Sequence, residues 1–208
     1  QAGWRVRVAV RRPAEAGFVR TYGTVGQVEP VLCNIRDDAS VAAAMSGADA
    51  VVNAIGILAE GGRNSFEAIQ NEGPARVSRL AAVAGIERVV HISAIGADAD
   101  SKSGYARTKA LGEEAVRSHV QSAVILRPSI MFGSGDSFFN RFAGLTRFGP
   151  VLPIVGGETL FQPVYVDDVA MAVAKSVLGQ VAAGTYELGG PEVDSLRGLM
   201  QRMLVVIR

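Results

Sequence analysis

A serine, a tyrosine and a lysine within one short stretch define the chemistry open to this chain. In His91-Ile-Ser-Ala-Ile-Gly-Ala-Asp-Ala-Asp-Ser-Lys-Ser-Gly-Tyr-Ala-Arg-Thr-Lys109, Ser93 ends an apolar run, and Tyr105 and Lys109 stand four residues apart. On a helix that spacing puts both side chains on one face, with Cβ atoms roughly 5–6 Å apart. A free phenol with a pKa of about 10 is a poor acid or base at neutral pH, but an adjacent ammonium favours the phenolate and pulls the value toward the working range. Ser93 could hydrogen-bond the same substrate oxygen. Such a trio moves a proton on and off a carbinol or carbonyl oxygen while a hydride moves at the carbon. The competing reading is an ordinary exposed helix, since Tyr-x-x-x-Lys also arises by chance. Position favours the chemistry: the pair follows the strand-like Arg88-Val-Val-His-Ile-Ser93 through a polar loop and opens a helix running to about His119.

The elements that must position this trio can be read in turn. Val6, Val8 and Val10 alternate with Arg5 and Arg7, which predicts a strand stopped by Arg11-Arg-Pro13. In a dinucleotide-binding sheet this is the second strand, where an acid holds the 2′-hydroxyl of NAD and an arginine accommodates the 2′-phosphate of NADP. Arg11 and Arg12, with no acid before Glu15, favour NADP over NAD, against the plainer reading of a solvated strand end. Val28–Leu32 is a second strand, confined to a sheet edge by Pro30, and Ala39–Met45 a short helix. A buried strand, Ala48–Asn53, leads into Ala54-Ile-Gly-Ile57, where Gly56 would let backbone approach a cofactor closely. Asn53, Ala54, Ile55 and Gly56 are therefore candidate cofactor contacts, or else a plain strand-to-helix turn.

A helix from about Ser65 to Ala84 places Phe66, Ile69, Val77, Leu80 and Ala81 at core spacing and is stopped by Gly85. His91, His119 and Asn71 read as structural or surface residues, and no metal site is expected. Ala123–Leu126 is the next strand. From Gly135 the chain turns aromatic, with Phe138, Phe139, Phe142, Phe148, Pro150 and Pro153. These would line an apolar substrate cleft or simply pack a core. Phe161–Val166 reads as a strand ending at Asp167-Asp168, which cap a helix from about Val169 to Leu178 rather than catalyse. Thr185–Leu188 is a last strand before the turn Gly189-Gly-Pro191, and Ser195 caps a final amphipathic helix.

Alternating strand and helix patterns argue for an α/β fold, a doubly wound parallel sheet of Rossmann-like type. Residues 1–134 form the nucleotide-binding part and 135–208 a small, partial C-terminal substrate lobe, with 161–178 packing back on the first part. The glycine-rich turn that should follow the first strand is nowhere in the sequence, and Gly133-Ser-Gly135 follows the sixth strand instead. Since that turn opens the helix on which a pyrophosphate sits, the expectation is a sheet lacking its first βα unit. The chain then reads as a fragment of a longer protein, with a gap between Val6–Val10 and Val51–Asn53 and poor cofactor affinity as it stands. Gln1-Ala-Gly-Trp4 looks like the tail of a helix entering a strand.

With 208 residues, 49% hydrophobic and 20% charged, the chain can bury one sizeable core. A net charge of +1 from scattered basic residues argues against a nucleic-acid partner. Cys33 is the single cysteine, so no disulfide framework is expected, which fits a reducing compartment. No apolar run approaches the roughly 18 residues that cross a bilayer, and no signal peptide is visible.

Six segments in order resemble a known family: Val52–Leu58, His91–Asp98, Tyr105–Lys109, Leu126–Gly133, Asp136–Phe142 and Gln162–Val169. They resemble the short-chain dehydrogenase/reductases of the extended or atypical (epimerase/dehydratase-like) kind, and more narrowly the NDUFA9-like accessory subunits of respiratory complex I and their bacterial relatives. The resemblance implies Tyr105 as acid/base, Lys109 lowering its pKa and holding the nicotinamide ribose, and Ser93 orienting the substrate oxygen. It also implies that Asn34 and Ile35 lie beside the adenine, although the family usually has Asp where Asn34 stands. Pro128 would run along the cofactor, in a loop that covers the nicotinamide. Two functions follow. One is an NADP-dependent oxidoreductase acting on a carbonyl, a hydroxyl or a quinone-related apolar substrate. The other is a non-catalytic NADPH-binding accessory subunit or assembly factor of complex I, with a helper in ubiquinone biosynthesis as a variant. Either is expected in the cytoplasm or peripheral at the inner face of an energy-transducing membrane, reached through a partner.

Overall fold

The computed structural model describes residues 3–146 and 154–207. Gln1 and Ala2, read above as a helix tail, and Phe148, Pro150 and Pro153, read as part of the lobe, lie outside the described residues.

Two parallel sheets form the frame. β1 (Val6–Val10) pairs with β2 (Val28–Leu32), joined by a 3-10 segment (Pro13–Tyr22). β3 (Ala50–Asn53), β4 (Arg88–Ile92), β5 (Val124–Pro128) and β9 (Gly184–Leu188) form the second sheet, in the order β3-β4-β5-β9. No strand pairing joins β1 to β3, so each keeps one edge without a partner among the described residues. Among the described residues β2 pairs only with β1, which suits Pro30, a residue without an N–H. Two short pairs complete the strands: β6 (Met131–Phe132) with β8 (Val164–Tyr165), parallel, and β7 (Leu160–Phe161) with β10 (Asp194–Ser195), antiparallel.

The second sheet is wound on both faces because its strands alternate apolar residues in both directions. Val89 packs toward α1 (Asp38–Met45), α2 (Glu72–Val83) and α3 (Gly104–His119), in a core with Val41, Met45, Val77, Ala81 and Val116. Val90, Val124 and Leu126 face the other way, onto Ala172, Val173 and Val177 of α5 (Val166–Val177). A third cluster joins α4 (Phe138–Leu145) to α6 (Leu196–Val206) through Phe138, Phe139 and Phe142 against Leu199, Met200 and Met203.

The structure corrects several boundaries. The helix expected over 65–84 opens with a π turn, Glu67–Asn71, before α2 begins. The strand expected over 161–166 is split into β7 and β8 at Gln162-Pro163, where proline cannot donate to a ladder. Asp167 and Asp168 do not cap α5: it starts at Val166 with no side-chain cap, and both carboxylates lie in its first turn, where they complement the helix dipole. β9 belongs to the main sheet, although the division at residue 134 assigns it to the lobe. Ser195 does cap α6, accepting from the Gly198 N–H.

Candidate active site

The chemistry-bearing residues gather beyond the carboxyl ends of β3, β4 and β5, where ligands of open parallel sheets bind. Ser93 follows β4 and is held by its N–H to the Leu126 carbonyl, 2.7 Å. The polar loop after it folds onto the start of α3: the Asp98 N–H donates to Ala106 O, and Ile95 N–H to Pro128 O at 3.1 Å. Ser103 caps α3 by accepting from the Ala106 N–H. Tyr105 therefore sits in the first turn and Lys109 one turn further along.

The structure brings Lys109 against the end of β3. Its ammonium donates to the Ile92 carbonyl at 3.2 Å and lies 3.3 Å from where a Cβ of Gly56 would stand. Ala54 and Gly56 are exposed there. Asn53 is buried, donating to Nδ1 of His91 at 3.2 Å and accepting the Ile55 N–H, so it shapes the turn from within. Pro128 is buried at the end of β5.

The adenine-side candidates are placed differently. Arg11 and Arg12 are exposed after β1, and Arg12 is paired with Glu15 at 3.0 Å. Asn34 closes a turn by accepting the Arg36 N–H. Ile35 is a correction: its side chain is buried in the core against Gly73, leaving only its backbone, whose carbonyl already accepts from Arg76.

Burial sets the protonation states. Lys109, 5% exposed, has its pKa pushed down to about 8 by desolvation, against the opposing charge of Glu113. Tyr105, packed edge-on against Phe66, has its pKa raised by burial, and Lys109 does not offset this. The expected lowering of the phenol is thus absent, because the ammonium is directed to the Ile92 carbonyl. His91 is buried and neutral, its pKa pushed down to about 4 by desolvation and the Lys109 charge. Among the described residues no cluster of three or more His, Cys, Asp or Glu could hold a metal.

Sequence reading missed two residues. Gln70, buried in the π turn, donates to Thr108 Oγ1 at 3.2 Å. Its Oε1 has no partner among the described residues and lies 3.8 Å from the same Gly56 position that Lys109 approaches. Asn71, the neighbour weighed instead, only bonds Glu67. The other is Glu113, 1% exposed, which accepts a fork from Arg127 (2.8 and 2.8 Å) and a bond from Arg117 (2.8 Å). Burial works against its charge, but these bonds and an approach by Ser93 hold its pKa below the ordinary carboxylate value. Ser93 Oγ does not reach full hydrogen-bond geometry with any group among the described residues. Glu113 was visible as the next step of an i, i+4 series with Tyr105 and Lys109.

Beyond β5, Phe132 packs against Tyr165 and Phe139, with ring centroids 5.6 and 6.3 Å apart. With exposed Ile95 and Met131 they give that end of the sheet an apolar rim. Phe138, Phe142 and Phe161 instead pack the α4–α6 core.

A sequence profile described as NAD(P)H-binding matches residues 1–135. The chain is 38% identical over 197 residues to NADH dehydrogenase [ubiquinone] 1 alpha subcomplex subunit 9, mitochondrial, of Arabidopsis thaliana, covering 91% of this chain and 48% of that protein. It is 31% identical to a ceramide reductase of Caulobacter vibrioides, covering 82% and 52% respectively. The chain thus spans about half the length of these relatives. Among solved structures, it superposes with a TM-score of 0.78 on a dTDP-glucose 4,6-dehydratase variant of Streptomyces venezuelae with NAD bound, at 22% identity, covering 98% of this chain and 71% of that one. It also superposes with a TM-score of 0.77 on a dTDP-4-dehydrorhamnose reductase of Bacillus anthracis in complex with NADP, at 15% identity, covering 100% and 82%. Both likenesses show a shared Rossmann-like fold.

Proposed function

The chain belongs to the NAD(P)H-binding family, and from that premise we propose that it is part of an NADP-dependent oxidoreductase acting on a carbonyl, hydroxyl or quinone-related apolar substrate. The observation that carries this reading is a buried ammonium, Lys109, beside a glycine at a strand end, one helical turn from a half-buried tyrosine. A nucleotide fits there, because Gly56 leaves backbone approachable and the unpartnered Gln70 Oε1 sets an acceptor next to the lysine donor, the pairing a ribose diol requires. Bound NADPH supplies a hydride. Tyr105, protonated at neutral pH because burial raises its pKa, is the acid that gives a proton to the substrate oxygen. Lys109 binds the nicotinamide ribose. Ser93 orients the substrate oxygen, and the rim of Ile95, Met131, Phe132 and Tyr165 takes an apolar body.

Arg11, which makes no side-chain hydrogen bond to the described residues, supports NADP over NAD, with Arg12 able to join it by leaving Glu15. Asn34 takes the adenine side, and Ala54 to Gly56 with Pro128 the length of the cofactor, on a turn that Asn53 shapes from within. The free edges of β1 and β3 support a parallel first strand, with its glycine-rich turn, between them. On this reading residues 1–134 carry the nucleotide, and 135–208, apart from α5 and β9, wall the substrate side.

The second reading is a non-catalytic accessory subunit or assembly factor of complex I, peripheral at the inner face of the membrane. Its support is the similarity to subunit 9 proteins and a phenol whose pKa moves away from neutrality. No helix among the described residues is long and apolar enough to cross a membrane. The readings separate when native-length protein is mixed with NADPH or NADH and quinone or carbonyl compounds, beside Tyr105→Phe. Turnover that falls at least about 100-fold in the variant, with NADPH preferred, supports the enzyme. Tight NADPH binding without turnover overturns it in favour of the subunit.

A further inference from the structure

We propose that His91 is a positioning residue of the turn over which the nucleotide lies: acting through the side chain of Asn53, it fixes the backbone of residues 54–56. The inference rests on the reading of that turn as a cofactor contact. His91 and Asn53 are register partners on the neighbouring strands β4 and β3, 1% and 3% exposed. The Ile55 N–H is a donor, so the Asn53 atom that meets it at 3.2 Å is the acceptor Oδ1. That leaves the Asn53 Nδ2 to donate to Nδ1 of His91, also at 3.2 Å. Two donors cannot pair, so Nδ1 is bare and the ring proton sits on Nε2.

Packing alone argues against a histidine at this place. Nε2 has no hydrogen-bond partner among the described residues, and a buried N–H left so is costly, whereas a leucine would fill the space without a polar atom. What the imidazole supplies, and leucine lacks, is the acceptor for Asn53. The consequence is felt at Gly56. From β4 the Ile92 carbonyl holds the Lys109 ammonium at 3.2 Å and the adjacent His91 holds the turn, and the two meet where that ammonium lies 3.3 Å from the Gly56 Cβ position. One strand thus sets the gap between lysine and turn.

The chain has two histidines, His91 and the exposed His119, so ring-nitrogen NMR of native-length protein resolves them, with His119 assigned by its loss in His119→Gln. His91 should stay neutral and Nε2-protonated from about pH 5 to 8. A ring protonated on Nδ1, turned to the Asn53 backbone carbonyl that also approaches it, overturns the proposal. His91→Leu should speed hydrogen exchange of the Ile55 amide and weaken NADPH binding, each by about tenfold. A merely structural His91 changes stability and leaves NADPH affinity where it was. Unchanged Ile55 exchange, or unchanged affinity beside a parent that binds NADPH, overturns the proposal. If the parent binds no NADPH, the functional reading falls, while faster Ile55 exchange still supports His91 as the residue that holds the turn. Should His91→Leu fail to fold, Asn53→Asp decides: both its oxygens accept, so His91 must take a proton on Nδ1, and a ring that does not overturns the proposal.

Discussion

Lys109 holds its charge with 5% of its surface exposed, and the folded chain is less stable for it. Its pKa is about 8 when folded against 10.5 as a free side chain. Between those values the unfolded chain binds more protons, so stability rises with pH. Below about 8 the whole penalty, roughly 3 kcal/mol from the size of the shift, is present. Lys109→Met should therefore raise stability to urea at pH 7 by roughly 1–3 kcal/mol and flatten its pH dependence between about 8 and 10. It should also lose nucleotide binding. If Lys109→Met instead weakens the fold at pH 7, the ammonium is not a desolvated burden. A destabilising residue is tolerated where function uses it, which agrees with the site proposed above.

At the scale of elements, the site depends on how closely α3 meets the π turn. A Cβ on Gly112 would overlap the Gln70 carbonyl oxygen and crowd Pro74, so this glycine lets α3 lie against the turn that carries Gln70. Gly112→Ala should thus destabilise by roughly 1–3 kcal/mol, overpacking outweighing the better helix propensity of alanine. Urea unfolding checks this, and a neutral or stabilising result would show that the helices can part without cost. Within the π turn Gln70 is turned inward to Thr108, and Asn71 stays with Glu67. Apolar spacing over 65–84 reads as one regular helix because a single inserted residue hardly disturbs a pattern of 3.6. The start of α6 was legible from its capping side chain, Ser195, which acts on its own first turn, as Asp37 and Ser103 do for α1 and α3.

Across the whole molecule the sheet is divided. β5 is buried along both faces, whereas Val6 of β1 is 45% exposed and Val52 of β3 43% exposed beside the free edges. In hydrogen exchange of this chain, the amides of β1 and β2 should exchange roughly 100-fold faster than those of β4 and β5. Equal protection would mean that the two sheets unfold as one unit and that the free edges matter little. That β1 and β3 do not pair was expected from the sequence, where a strand pattern at Val6–Val10 comes with no glycine-rich turn. The sequence by itself determined the parallel α/β class, the succession of main-sheet strands and the shared face of Tyr105 and Lys109, because periodicity and i, i+4 spacing act over a few residues. Only the tertiary structure decided that burial raises the tyrosine pKa, that Lys109 turns to the Ile92 carbonyl, that Ile35 is core, and that Gln70 and Glu113 join the site. Desolvation and charge depend on groups brought close from elsewhere: Ile92 is 17 residues from Lys109, and Gln70 is 38 from Thr108.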